Sequence, residues 1–144
     1  MSATMAILSL RALIVKEGEL FLVRRSLRDR WNPGKWECPG GKPDAGEHFD
    51  HALIREVFEE AGFQVKITSG IAFVVNDIAT AFQYKGIPHA TIFRLVSLES
   101  GKPTLSDEHC DFVWASPERA PAYDLTEETQ GALHELHLNT GLLR

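Results

Sequence analysis

Apolar positions along this chain change period from one segment to the next, and the changes mark the elements. Residues 7–15 (ILSLRALIV) form an apolar run interrupted by Arg11, followed by Lys16-Glu17-Gly18 and a second apolar run over 19–24. Two strands joined by a tight turn are predicted. Residues 65–67, 71–75, 91–98 and 112–114 are further strand candidates from their β-branched and aromatic content. The segment from about Glu47 to Ala61 differs. It contains no proline or internal glycine, and Leu53, Val57 and Ala61 recur at four-residue steps with Ile54 beside them. That period predicts a helix buried on one side. Gly62 suits the left-handed residue that ends a helix, and Pro39-Gly40-Gly41 makes a sharp turn that feeds the helix from a strand. Ser116-Pro117-Glu118 predicts a capped turn of helix stopped by Pro121. A last helix starts near Asp124 or Thr126 and carries Thr129, Ala132, Leu133 and Leu136 as a sheet-facing stripe.

The polar side of the first helix changes the picture. Glu56, Glu59 and Glu60 are neighbours at i, i+3 and i+4, which gathers three carboxylates opposite the apolar stripe. Like charges at this spacing each cost about 0.2–0.5 kcal/mol in an isolated helix, and Arg55, four residues before Glu59, is the local compensation. A solvated acidic helix is the plain reading of such a stretch. A hard divalent cation with oxygen ligands is the other, since Mg²⁺ takes one or a few carboxylates and shares its shell with substrate phosphates.

The wider pattern decides between them. Gly41, Glu47, Arg55, Glu56, Glu59, Glu60 and Gly62 stand at the spacing G-x5-E-x7-R-E-U-x-E-E-x-G-U, with Val57 and Phe63 at the apolar positions. GKWECPGGKPDAGE followed by REVFEEAGF resembles the signature box of the Nudix hydrolases, here residues 41–63, with every fixed position filled. The resemblance implies an α/β fold, an α/β/α sandwich around a mixed β-sheet. It also implies Mg²⁺-assisted attack of water on phosphorus in a nucleoside diphosphate linked to a further moiety, with Mn²⁺ as a possible substitute. By position, Glu56, Glu59 and Glu60 are implied as metal ligands with the Gly40 carbonyl, Glu47 as an outer acid, and Arg55 as the group that orients Glu59 or Glu47. The general base is expected from Glu56 or Glu59, with Glu59 preferred, or from Glu108 in a distant loop. Phosphoryl transfer asks a protein mainly to position groups and neutralise charge, so clustered carboxylates are suitable equipment.

Composition bounds the rest. With 144 residues and 44% hydrophobic content, a single domain over 1–144 is expected. The net charge of −5 argues against stable nucleic-acid binding and leaves a small-molecule nucleotide as the expected partner. Cys38 and Cys110 lack CxxC spacing, so neither a zinc site nor a disulfide framework is suggested, and a cytoplasmic location is the default. No run reaches the ~20 apolar residues of a membrane span, and the apolar start reads as a strand rather than a signal peptide. A monomer or homodimer is expected.

Several residues outside the box are candidates for substrate contact, each with a structural alternative. Arg25, closing the second strand, could grip phosphate or base; Arg30 and Lys42 are weaker versions. His89, entering the strand over 91–98, is preferred to the His48/His51 and His134/His137 pairs, neither of which makes HExxH. Tyr123 and Asp124 occupy the segment where MutT-like relatives place a base-reading asparagine, although Asp124 with Glu127 also reads as a helix cap. Phe73, Phe82 and Tyr84 are available to stack, and residues 76–88 read as a hairpin over the pocket that ligand would order. The GKWE and PGG segments resemble the MutT-like branch, which implies cleavage of a (d)NTP to NMP and pyrophosphate. ADP-ribose, sugar nucleotides and coenzyme A are the alternative substrates, and a regulator that binds nucleotide without turnover is the alternative class.

Overall fold

The computed structural model of the chain describes residues 2–79 and 84–138, and for residues 69–72 the backbone alone. Its elements run β1 (Ile7–Lys16), β2 (Glu19–Arg25), β3 (Trp36–Glu37), β4 (Gly40–Gly41), α1 (Phe49–Ala61), β5 (Gln64–Ile78), β6 (Pro88–Ser100), β7 (His109–Ala115) and α2 (Glu127–Leu138), with a short 3₁₀ turn at Ala120–Ala122. Strand order is β3-β2-β1-β6-β5, with β4 on β1 and β7 on β2. The β1–β6 pair is parallel and the other ladders are antiparallel, so the sheet is mixed.

Both faces of this sheet are covered, which is why β1 reads as a nearly continuous apolar run rather than an alternation. On one face Leu10, Ala12, Ile14, Phe21 and Val23 pack with Ala52, Leu53, Val57 and Ala61 of α1. On the other, Leu13, Leu20, Leu22, Phe73 and Phe93 pack with Ala132, Leu133 and Leu136 of α2. This is the three-layer α/β/α arrangement expected from the signature box. Phe73 therefore belongs to the core under α2 rather than to a stacking platform.

Strands β1 and β2 join through Glu17 and Gly18, both at positive φ (52° and 78°), as a two-residue hairpin turn of the favoured hand requires. They pair beside that turn, Val15 with Leu20 and Lys16 with Glu19. Further on they take different partners. β1 pairs with β4, Arg11 opposite Gly40, whereas β2 pairs with β3 and β7, Val23 opposite Glu37 and Phe112. The segment 36–41 fills the gap between the diverging strands, and it carries Glu37 and the glycine turn.

Several boundaries differ from the sequence expectation for identifiable reasons. The strands expected over 65–67 and 71–75 are one strand, β5, whose register on β6 shifts between Ile67 and Ala72. Helix α1 begins at Phe49 because His48 caps it, its side chain accepting from the Asp50 N–H. Pro121 lies inside the 3₁₀ turn instead of stopping it, since proline is tolerated in a first helical turn. Asp124 is not the cap of α2: the helix starts at Glu127, directly after Thr126. Of the hairpin expected over 76–88, residues 76–78 end β5 and Pro88 starts β6, and residues 80–83 lie outside the described residues. Phe82 lies outside the described residues.

Candidate active site

The last turns of α1 are pressed onto the Gly40–Gly41 turn. The Glu60 carboxylate, 5% exposed, accepts the Gly40 N–H at 3.0 Å. Glu56, one helical turn earlier, lies against Gly41: a Cβ there would stand 2.5 Å from its carboxyl carbon. A Cβ on Gly40 would stand 1.9 Å from the Leu10 carbonyl oxygen, so close strand approach demands glycine there, whereas at Gly41 the obstacle is the Glu56 carboxylate itself. The three glutamates are thus not equivalent. Glu59 is exposed and turned to Arg55, whereas Glu60, expected beside it opposite the apolar stripe, is buried against the turn.

Arg55 organises the outer carboxylates. Its Nε and Nη2 donate to Glu47 at 2.8 Å each, and its Nη1 donates to Glu56 at 3.0 Å and to Glu59 at 3.1 Å. Glu47 also accepts the Asp44 N–H. These bonds, those from Arg55 above all, hold Glu47 down to a pKa of about 2. Burial acts in the other direction on the inner pair. It raises Glu56 against the pull of Arg55, and it raises Glu60 to about 7 despite Arg11 and His109 nearby.

Below the carboxylates lies a buried set of charges that sequence reading did not identify. Glu37 is 1% exposed, with its Oε2 accepting from Arg25 Nη1 at 2.9 Å, lying 3.0 Å from His109 Nε2, and 3.4 Å from Arg11 Nη1. Burial alone would raise the Glu37 carboxyl, but Arg11, His109 and Arg25 together bring it to about 2. Arg11 also donates to the Cys38 carbonyl at 3.2 Å, which fastens β1 to the glycine turn. The available signal was Arg11 itself, a lone charge inside an apolar strand. Cys38 is a free buried thiol, pushed up to about 12 by burial, and Cys110 is free and exposed.

Arg11, Glu37 and the glycine turn border a cavity of about 810 Å³, within the ordinary range of small-molecule sites. Gly40, Glu56, Glu60 and Glu108 lie on its wall, as do Arg25, His89 and Lys42. Glu59 does not. Arg25 reaches the cavity with its guanidinium already committed, to Glu37, to Asp29 at 2.6 Å and to the Trp31 carbonyl at 2.7 Å. Lys42 Nζ lies 4.4 Å from the Trp31 ring centroid and 4.9 Å from that of Tyr84, whose rings meet edge to face. His89 contacts Ser9 and Asp77. Tyr123 and Asp124 stand off the cavity wall, Tyr123 packed on Trp36 at 5.1 Å and Asp124 paired with Lys35 at 3.3 Å.

The donor set fits a divalent cation. Carboxylate oxygens of Glu60 and Glu108 and a ring nitrogen of His109 lie within 4.8 Å of one another, with Glu56 beside the same turn. Glu60 is a buried acid with a single hydrogen-bond partner and a raised pKa, the condition of a carboxylate short of positive charge. Glu56, Glu60 and Glu108 are the side chains that could hold such an ion.

The NUDIX domain profile matches residues 7–136, and the chain belongs to the Nudix family. It is a hydrolase of pyrophosphate bonds in nucleoside diphosphate-linked compounds. The chain is 27% identical over 126 residues to the nucleoside triphosphatase NudI of Salmonella agona, covering 84% of this chain and 89% of that one. Among solved structures it resembles the MutT protein of Methanosarcina mazei, with a TM-score of 0.75 and 28% identity over 97% of this chain and 99% of that one. It also resembles a C. elegans Ap4A hydrolase, with a TM-score of 0.70 and 25% identity over 94% of this chain and 97% of that one. Among the described residues no helix is long and apolar enough to cross a membrane.

Proposed function

We propose that this chain hydrolyses a nucleoside triphosphate to the monophosphate and pyrophosphate in the presence of Mg²⁺, with Mn²⁺ able to replace it. The observation that carries this reading is the pressing of Glu56 and Glu60 onto the Gly40–Gly41 turn at the wall of a nucleotide-sized cavity. The likeness to a nucleoside triphosphatase and to a MutT protein supports the choice of substrate.

When bound, a divalent cation polarises a phosphoryl oxygen and lowers the pKa of water. The chain does the remainder. Glu56, Glu60 and the Gly40 carbonyl would hold that cation, and through it set where the phosphates lie, with Glu59 completing the acidic set from the exposed side. Arg55 is a positioning residue that locks the Glu47, Glu56 and Glu59 side chains in one arrangement. Water attacks phosphorus, its proton passes to a carboxylate, and the bond to the pyrophosphate oxygen breaks. Glu108 borders the cavity and Glu59 does not, which favours Glu108 for that proton. Lys42, set beside Trp31 and Tyr84, offers positive charge to the departing phosphates.

The test is a Mg²⁺-dependent hydrolysis panel over nucleoside triphosphates, ADP-ribose, sugar nucleotides, dinucleoside polyphosphates and coenzyme A. Pyrophosphate release from triphosphates at the highest kcat/KM is expected. A clearly higher kcat/KM on any other member of the panel would replace the substrate assignment, and metal-dependent binding without turnover would replace the enzyme by a nucleotide-binding regulator.

A further inference from the structure

We propose that Ser9, His89 and Asp77 form a relay that makes one wall of the cavity accept hydrogen bonds, and so selects nucleotides whose base carries an amino group. The inference rests on the nucleotide reading above and names the determinant of base choice within it.

Three strands bring the residues together. Asp77 on β5 stands opposite His89 on β6, and His89 stands opposite Ile7 on β1. Ser9 is two residues along β1 from Ile7, on the same face of the strand. Arg11, two residues further, is paired with Gly40, so this face of β1 leads from the relay toward the catalytic turn. Ser9, Asp77 and His89 all border the cavity.

The distances assign the protons. Asp77 Oδ1 lies 3.0 Å from His89 Nδ1, at contact distance without the alignment of a hydrogen bond, and Ser9 Oγ lies 2.9 Å from His89 Nε2. An ionised carboxylate only accepts, and a bare nitrogen lone pair facing it would be repelled. In neutral His89 the proton therefore sits on Nδ1, and Nε2 is left as an acceptor. The Ser9 hydroxyl spends its one hydrogen on Nε2. Its remaining lone pairs are what a ligand meets, while Asp77 Oδ1 is itself buried and faces His89 rather than the cavity. Glu128, buried at 8% exposure on the same wall, adds further acceptors. Arg11 also borders the cavity, but its Nη1 is held by the Cys38 carbonyl and Glu37 nearer the glycine turn.

An amino group donates into such a wall, whereas a carbonyl oxygen in its place sets lone pairs against lone pairs. Cytidine and uridine differ by that exchange, as do adenosine and inosine. The tests are therefore the kcat/KM ratios for these matched triphosphates and the tautomer of His89, read by NMR of ¹⁵N-labelled imidazole in mildly alkaline buffer. The amino member of each pair is expected to lead by about tenfold or more, and the lead to fall to about twofold or less in Ser9→Ala and in His89→Leu, which frees the hydroxyl to donate. Ser9→Ala removes one oxygen and carries the test should His89→Leu fail to fold. Equal use of amino and carbonyl members by the wild type, a lead that survives both variants, or a His89 proton on Nε2 would each overturn the relay. Should no triphosphate be hydrolysed, the same ratios are read as calorimetric Kd values with Mg²⁺. The hydrolysis result then judges the enzyme reading and the Kd ratios judge the wall.

Discussion

Glu60 and Gly40 share a hydrogen bond of 3.0 Å across twenty residues of sequence, so the end of α1 and the turn before it form one piece. Without that bond the Glu60 carboxylate would be held in the interior only by the attraction of Arg11 and His109. With it, the carboxylate is aimed by backbone rather than by a flexible side-chain partner. The arrangement meets the main demand of phosphoryl transfer, charged groups held in place before substrate arrives.

Gly41→Ala tests how tight that piece is. A methyl group there would stand 2.5 Å from the Glu56 carboxyl carbon, and the carboxylate must move to admit it. Displacements of about 1 Å at a reacting centre cost on the order of 10²-fold in rate, and a loss of that size in kcat is expected. Steady-state kinetics with a parallel melting curve separate this from unfolding; kcat within twofold of wild type would show that the contact is not critical.

Glu60→Gln separates stability from catalysis. The amide oxygen can still accept the Gly40 N–H, but a buried carboxylate whose pKa is raised to about 7 no longer has to be ionised in the interior. In metal-free buffer near neutral pH the variant is expected to melt at or above the wild-type temperature while kcat falls at least about 10²-fold. Added Mg²⁺ should stabilise the wild type and leave the variant nearly unchanged. A variant that keeps its turnover, or that gains as much stability from Mg²⁺, would remove Glu60 from the metal site.

Arg55→Lys probes the outer acids. A lysine keeps the charge but cannot make the paired bonds to Glu47 while also reaching Glu56 and Glu59. The expectation is a fall of about tenfold or more in kcat with KM changed less, since Arg55 touches acids and not the phosphates. An increase confined to KM would instead place Arg55 on substrate.

Glu37 governs acid stability beneath the site. Its pKa is held to about 2 in the folded protein, so its stabilising contribution is present above the ordinary carboxylate pKa of about 4.5 and is lost as pH falls from there toward about 2. Glu37→Leu strands Arg11 and Arg25 in the interior, and loss of one partner of a buried pair typically costs about 3–5 kcal/mol. Urea denaturation of both proteins from pH 6 to pH 3 should show a steeper decline for the wild type than for Glu37→Leu. Parallel curves would mean that other acids set the limit.

The fold was readable because its two signals were local. A period near four with a glycine cap specifies α1, and β-branched runs with turn residues specify the strands, while the spaced acids and glycines of the box named the chemistry. What escaped was set by long-range pairing. Glu37 looks like any charged residue beside a tryptophan until β3 carries it between the diverging strands, and His109 acquires its Glu37 partner only through the β2–β7 ladder. Glu60 was placed with Glu56 and Glu59 on one face, because helical periodicity cannot tell that a glycine turn will cover it and not Glu59. Arg25 was the reverse case. A basic residue beside a catalytic loop suggests a phosphate clamp, yet its three donor nitrogens are bonded within the protein.

The divergence of β1 from β2 divides what the molecule can change from what it cannot. Along the gap between them, the acids proposed for the reaction lie beside Arg11, Glu37 and His109, so alterations to the reaction there would compromise folding as well. The Asp77 end of the cavity instead hangs on β5, a strand at the edge of the sheet, where a side chain can be exchanged with little penalty to the core. Descendants of this sequence could therefore acquire new substrates through β5 and the start of β6 while inheriting the chemistry intact.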